Sequence, residues 1–213
     1  MCYKELPAGY ALAEVIDLQS NRRQFWAVNG LALALAAVLA VAGVLLVPFS
    51  SLAETPLWEL FAALGAMLAG IVLYVILHEL THGVFLYAFT RVRPKFGFVG
   101  WAAYCGNTAY CDKPRYLIVA VAPLILWGAA FAALNAVLCT GVWFWTVWAL
   151  QIVNVSGAAG DLFVFFRLLT RPKHILVNDT GLKMCVYAPL PSGGTDGAAG
   201  AADEKAEEKK ENV

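Results

Sequence analysis

Four long stretches of this chain contain almost no charged residues, and they limit the possible folds more than any other feature. They cover about residues 25–47, 57–90, 116–139 and 142–169. A helix needs about 20 mostly apolar residues to cross the ~30 Å hydrocarbon core of a bilayer, and each stretch is at least that long. The sequence therefore predicts an all-α membrane protein with four transmembrane helices.

The overall composition supports the same class. Hydrophobic residues make up 61% of the chain and charged residues only 14%, against about 25% charged in soluble proteins. The formal net charge is zero, so no basic surface suggests a nucleic-acid partner, and the expected partner is the lipid bilayer. Residues 1–191 are predicted to form a single domain. Residues 192–213, a Gly/Ala run followed by Lys and Glu repeats, are predicted to be a disordered tail.

The distribution of basic residues predicts the orientation. Four crossings place both termini and the loop 91–115 on one side, and all 15 Lys and Arg residues lie on that side or at its boundary. The positive-inside rule makes this side the cytoplasm, so both termini are expected there. The first two dozen residues lack the pattern of a cleavable signal peptide, so insertion is expected to depend on the first span.

Two small cytoplasmic β-hairpins are expected outside the spans. The first involves the aromatic segment Phe96–Tyr104, with Gly106-Asn107 as a turn signal before Thr108–Cys111. An aromatic loop lying at the level of the lipid headgroups is an open alternative. The second hairpin covers His174–Tyr187 and could pair with the first.

The second apolar stretch contains an H-E-x-x-H motif formed by His78, Glu79 and His82. Residues i and i+4 lie about 40° apart on a helix, so both imidazoles can point at one cation, while Glu79 is turned about 100° away. Helical zinc hydrolases place a general base at that position. Each ionisable residue near the bilayer centre costs roughly 2.5 to 3.5 kcal/mol, so three of them need partners. Zinc is one such partner, and a polar network between helices without metal is the alternative.

Asp161 is the expected third metal ligand. Apart from Glu59 and Arg167 at the ends of the stretches, it is the only other ionisable side chain within them. Its spacing from the basic end of its span resembles that of His82, so both residues are expected at a similar depth. A salt bridge to Arg167, or a hydrogen bond between helices, is the alternative for Asp161.

Three further residues are weaker ligand candidates. They are His174, Asp112 and Asp179, which lie in polar segments where a charge needs no metal to explain it. Asp179 is also explained as a turn residue.

These residues resemble a bacterial family of membrane proteins of unknown function that are described as zincin peptidases. The family is distantly similar to intramembrane metalloproteases of the site-2-protease type. The segments that carry the resemblance are Leu6-Pro7, Gly9-Tyr10, Ile16-Asp17-Leu18, His78-Glu79-Leu80-Thr81-His82-Gly83, Ala122-Pro123 and Asn154 through Gly160-Asp161.

The resemblance implies an aspartate in a late span as third ligand, preceded by an asparagine, which here are Asp161 and Asn154. Two positions depart from the site-2 pattern: Gly157 replaces a proline, and Gly160-Asp161-Leu162 replaces the usual Asp-Gly ending. The resemblance also implies that the hairpin at Phe96–Tyr104 receives an unwound substrate by strand addition.

Together these features predict a membrane-embedded zinc metalloprotease of the H-E-x-x-H type that hydrolyses peptide bonds of membrane-associated substrates. His78, His82 and Asp161 are expected to bind Zn²⁺, with Glu79 as the catalytic base. Two rivals remain at this point. One is a non-catalytic membrane scaffold or transporter-accessory protein whose polar cluster is structural, and the other is a zinc-bound but catalytically silent relative that binds peptides.

Overall fold

The computed structural model describes residues 1–18, 20–99, 102–181 and 183–190. Within these ranges the chain forms five α-helices, a short 3₁₀ helix at Phe49–Leu52 and seven strands. The helices are α1 (Arg22–Leu46), α2 (Leu57–Thr90), α3 (Lys113–Val137), α4 (Gly141–Gly157) and α5 (Ala159–Leu169). The strands are β1 (Cys2–Tyr3), β2 (Tyr10–Ile16), β3 (Lys95–Val99), β4 (Ala102–Gly106), β5 (Tyr110–Asp112), β6 (Leu176–Asp179) and β7 (Met184–Pro189).

Local sequence explains where two of the long helices begin. The Asn21 side chain accepts hydrogen bonds from the backbone N–H groups of Arg23 and Gln24 and so caps α1. The Asp112 side chain accepts from the N–H of Arg115 at the start of α3, and Pro114 occupies the first turn, where its missing N–H costs nothing.

The four predicted helices are present at the predicted places. In the described part of the chain, four helical segments are long and apolar enough to cross a membrane: Arg22–Leu46, Leu57–Thr90, Lys113–Val137 and Gly141–Leu169. The second is a continuous helix of 34 residues, about 51 Å at ~1.5 Å per residue, which exceeds the hydrocarbon thickness. The fourth is not continuous, because the backbone leaves helical geometry at Ala158 and separates α4 from α5.

The fold is mostly helical with small strands, as predicted, but the strands are more extensive than two hairpins, because five of them form a sheet in the order β1-β5-β6-β7-β2. Two of them, β1 and β2, come from the N-terminal segment, for which no strand was predicted. Strands β6 and β7 form the expected second hairpin, and β6 also pairs with β5 from the loop before α3.

A hairpin also forms in the aromatic segment, where β3 and β4 pair antiparallel from Lys95 opposite Gly106 to Val99 opposite Ala102. Gly106 is paired within β4 and does not form the turn of this hairpin, so the turn predicted at Gly106-Asn107 is wrong. Asn107 instead donates its backbone N–H to the carbonyl of Asp179, joining the end of β4 to the larger sheet. The tail predicted for 192–213 lies outside the described residues.

The larger sheet packs on the ends of α3 and α5. Its buried contacts are apolar, with Ile16 and Val177 from the sheet packed against Tyr116 of α3 and Leu168 of α5. At the surface of this layer, Glu14 of β2 forms ion pairs with Arg167 and with Arg171 beyond α5. The sheet therefore holds α5 against α3, which matters because α5 carries Asp161.

Helix α1 packs mainly on α4, and a glycine permits the approach. A Cβ at Gly43 would lie 3.1 Å from the ring of Trp145 and closer still to the indole of Trp148. That indole donates its N–H to the carbonyl of Leu39 over 2.9 Å and stacks on Phe144, so it cannot move away easily.

We expect Gly43→Ala to destabilise the helix bundle by about 1–3 kcal/mol, the usual cost of overpacking a close contact. Thermal unfolding of the purified protein measures this. Gly30→Ala is the matched control, since a Cβ at Gly30 in the same helix meets nothing within 4 Å and alanine favours the helix. Equal unfolding temperatures for the two variants would contradict the packing described here.

Candidate metal centre

The two histidines of the motif lie on one face of α2 and are buried, each with 9% of its surface exposed. Their Nε2 atoms are 3.2 Å apart, as expected for imidazoles one helical turn apart that point at a common position. The helix therefore brings together two nitrogen atoms that could bind a metal ion, without help from any loop.

The break between α4 and α5 places the third group. Asp161 lies in the first turn of α5, where the helix dipole stabilises a carboxylate. One carboxylate oxygen is 3.2 Å from His78 Nε2, and the other is 3.5 Å from His82 Nε2. Among the described residues, His78, His82 and Asp161 form a group that could hold a metal ion.

The separations between these atoms match a tetrahedral ion. Zinc bonds to histidine nitrogen and carboxylate oxygen are about 2.0–2.2 Å long, so neighbouring ligands of a tetrahedral zinc lie about 3.3–3.6 Å apart. The observed separations of 3.2 to 3.5 Å come close to this range without any rearrangement. Three protein ligands leave a fourth position for water or substrate, as in catalytic zinc sites.

A buried hydrogen-bond chain fixes the orientation of His78. The Asn154 amide N–H donates to the Leu124 carbonyl over 3.3 Å, so its oxygen faces Tyr74 and accepts the tyrosine O–H over 2.9 Å. The Tyr74 oxygen is then free to accept from His78 Nδ1 over 2.8 Å. With its proton on Nδ1, a neutral His78 has a lone pair on Nε2, which faces the other two ligands.

His82 has an equivalent outer partner. Its Nδ1 lies 3.0 Å from the backbone carbonyl of Val119 in α3, and a carbonyl can only accept, so Nδ1 carries the proton. The Nε2 lone pair of a neutral His82 therefore also points into the site. Such contacts from the second ring nitrogen are the usual support of metal-bound histidine.

This arrangement fits a divalent cation. Two imidazole nitrogens and one carboxylate lie within 3.5 Å of one another. When both imidazoles are neutral, all three groups are acceptors and repel one another. A cation at their centre turns the repulsion into coordination. The nitrogen and oxygen ligand set suits zinc.

Glu79 lines the same cavity as the three ligands but does not belong to the ligand group. The cavity has a volume of about 800 Å³ and is bounded by α1, α2, α3, α5, β4 and the β6–β7 hairpin. Its wall includes Cys105, whose pKa burial raises to about 12, so this thiol is not a ready nucleophile at neutral pH. Of these two groups, the Glu79 carboxylate is the one suited to accept a proton.

A comparison with known protein families agrees with this geometry. A family model described as "Putative zincin peptidase" (DUF3267) matches residues 71–176. The match supports a zincin-like family. Zinc is the cofactor that such a family implies, and the matched residues include all three members of the ligand group. Searches of curated proteins and of solved structures gave no match, so the similarity to site-2-type proteases stays a prediction.

The remaining candidate ligands lie elsewhere or have other partners. Arg167 pairs with Glu14 rather than with Asp161. Asp112 caps α3, and His174 is exposed. Asp179 lines the cavity, where it accepts hydrogen bonds from the Tyr116 hydroxyl and the Gly181 N–H. Desolvation raises the pKa of Asp179, and the bond from Tyr116 offsets part of that rise.

Sequence reasoning missed Tyr74 and the Val119 carbonyl, the groups that orient the two imidazoles. Tyr74 stands four residues before His78, the same spacing that joins the histidines, so helical periodicity could have found it. The carbonyl of Val119 has no side-chain signature of its own.

We expect Asp161→Ala to weaken zinc binding by more than the ~10–100-fold that loss of an outer hydrogen-bond partner costs, because it removes a ligand. Elemental analysis of the purified variant by mass spectrometry measures the bound zinc. Asp179→Asn is the matched control: it removes a carboxylate from the same cavity and should retain wild-type zinc. Equal zinc in Asp161→Ala and wild type would exclude Asp161 as a ligand.

Proposed function

We propose that this protein is a membrane-embedded zinc metalloprotease that cleaves peptide bonds of membrane-associated substrates. The observation that carries the proposal is the convergence of both histidine Nε2 atoms and the Asp161 carboxylate within 3.5 Å, beside Glu79, in a cavity of an apolar helix bundle. The zincin-like family match supports peptidase chemistry.

Three residues of the site would hold the metal ion, and a fourth transfers protons. His78, His82 and Asp161 would hold the zinc ion, which when bound supplies Lewis-acid activation of a water molecule and of the substrate carbonyl. Glu79, half-buried on the cavity wall, accepts a proton from the attacking water. The same carboxyl then delivers that proton to the amine that leaves as the peptide bond breaks.

The cavity suggests how a peptide is presented. Strand β4 pairs only with β3 in the described structure, and Ala103, Tyr104 and Cys105 of this strand line the cavity. An extended peptide can add to such an edge through main-chain hydrogen bonds. A transmembrane helix has all its backbone groups bonded internally, so a helical substrate would have to unwind before it binds there.

The proposed location is a cell membrane, crossed four times, with both termini in the cytoplasm. Four apolar helices support a multi-pass protein. The orientation rests on the basic residues, such as Arg91 and Arg171, which follow the inner ends of the second and fourth helical segments. On this arrangement the sheet and the β3–β4 hairpin lie on the cytoplasmic side.

We expect Glu79→Gln to keep wild-type zinc but to lose at least ~100-fold in cleavage, since the amide cannot accept the proton. Cleavage is measured on a fluorogenic peptide library and on tagged single-span membrane proteins in liposomes. Glu59→Gln, a matched change at the far end of α2, where the carboxylate accepts from the Trp143 indole, should cleave like wild type. Wild-type cleavage by Glu79→Gln would refute the mechanism, and a zinc-free wild type would favour a structural scaffold.

Reporter fusions test the orientation. A fluorescent protein that folds only in the cytoplasm should be bright when fused after Pro189, whereas alkaline phosphatase, active only outside, should be active when inserted after Glu54. The reverse pattern at the two sites would invert the proposed topology.

A further inference from the structure

Pro123 stands four residues after Val119 inside α3, and Val119 provides the carbonyl that accepts from His82. In a regular α-helix the N–H of residue 123 would donate to the carbonyl of residue 119. Proline has no N–H, and its ring pushes against that same carbonyl. The Val119 oxygen therefore loses its normal partner within the helix and is available to another donor.

His82 Nδ1 is that donor, over 3.0 Å. Val119 has only 2% of its surface exposed, and Pro123 is among the most deeply buried side chains of the protein. A buried carbonyl needs a hydrogen-bond partner, and the imidazole supplies one where bulk water has little access. This one hydrogen bond gives the carbonyl a donor and fixes the orientation of the ring.

A proline inside a helix is ordinarily explained as the cause of a kink. Bending alone does not account for its place, because a neighbouring position would bend the helix as well. A proline at 122 would release the carbonyl of residue 118, and one at 124 would release that of Ala120. Only a proline at 123 releases the carbonyl that contacts His82.

We propose that Pro123 is a positioning residue for the metal centre. Because Pro123 has no N–H, the Val119 carbonyl stays available to His82 Nδ1. This hydrogen bond keeps the proton on Nδ1 and off the Nε2 atom that faces the ion. The proposal rests on the proposed zinc function, and it assigns to α3 a part in metal binding although this helix provides no ligand. The role is the counterpart of the one that Tyr74 has for His78.

The test compares two variants that differ only at the backbone. Pro123→Ala restores the N–H, which then competes with His82 for the Val119 carbonyl. The second variant has lactic acid, the hydroxy analogue of alanine, at position 123, introduced by nonsense suppression. It has the same methyl group, and thus the same cavity, but an ester oxygen in place of the N–H.

The zinc dissociation constant of the full-length protein is measured by competition with a chromophoric chelator. We expect Pro123→Ala to bind zinc at least ~10-fold more weakly, the usual loss for an outer-shell partner, and the lactic acid variant to return to within about threefold of wild type. Tyr74→Phe, which removes the partner of the other imidazole, sets the scale of the effect.

A control separates this effect from a general weakening of α3. Lactic acid in place of Ala130, an exposed position of the same helix, removes an N–H far from His82 and should leave zinc affinity unchanged. Wild-type affinity in Pro123→Ala would overturn the inference alone, as would equal losses in the alanine and lactic acid variants. A wild-type protein without zinc affinity would overturn the proposed function as well.

Discussion

The close approach of three side chains that could bind a metal ion is the constraint on which the site depends. His78 Nε2 and His82 Nε2 lie 3.2 Å apart, and the Asp161 carboxylate lies within 3.5 Å of both. The Nδ1 protons are held by Tyr74 and by the Val119 carbonyl. When both rings are neutral, they present lone pairs to each other and to an anion, and these groups repel one another. A cation at the centre of the cluster removes this repulsion. Without a cation, burial of these side chains in an apolar bundle would cost free energy.

The architecture around the cluster follows from keeping these three groups in place. Helix α2 carries both histidines at helical spacing and needs no further support to bring them together. Asp161 lies on a separate helix, and the break at Ala158, together with the five-stranded sheet packed on α5, sets its position. The sheet is thus part of the site, although it provides no ligand.

Helical periodicity explains which features of the fold and of the site could be predicted from the sequence. The apolar stretches gave the helices to within a few residues, because long uncharged runs have few other stable forms. The pair of His78 and His82 follows from a fixed spacing, and Asp161 from being the only other ionisable group deep within the stretches.

The strands β1 and β2 were not predicted because short strands depend on partners far along the chain, here β5 and β7. The turn of the aromatic hairpin was misplaced because Gly106-Asn107 has the composition of a turn but is used to join the two sheets.

The amino-acid sequence by itself determined the four apolar helices, the H-E-x-x-H motif on the second of them and the carboxylate deep in the fourth, since these depend on residue type and on distances of a few residues. Only the tertiary structure decided that Asp161 meets both imidazoles rather than Arg167, and that a backbone carbonyl orients the ring of His82. The reason is physical: such contacts join residues 37 to 83 positions apart, and their geometry depends on how helices and sheet pack against one another.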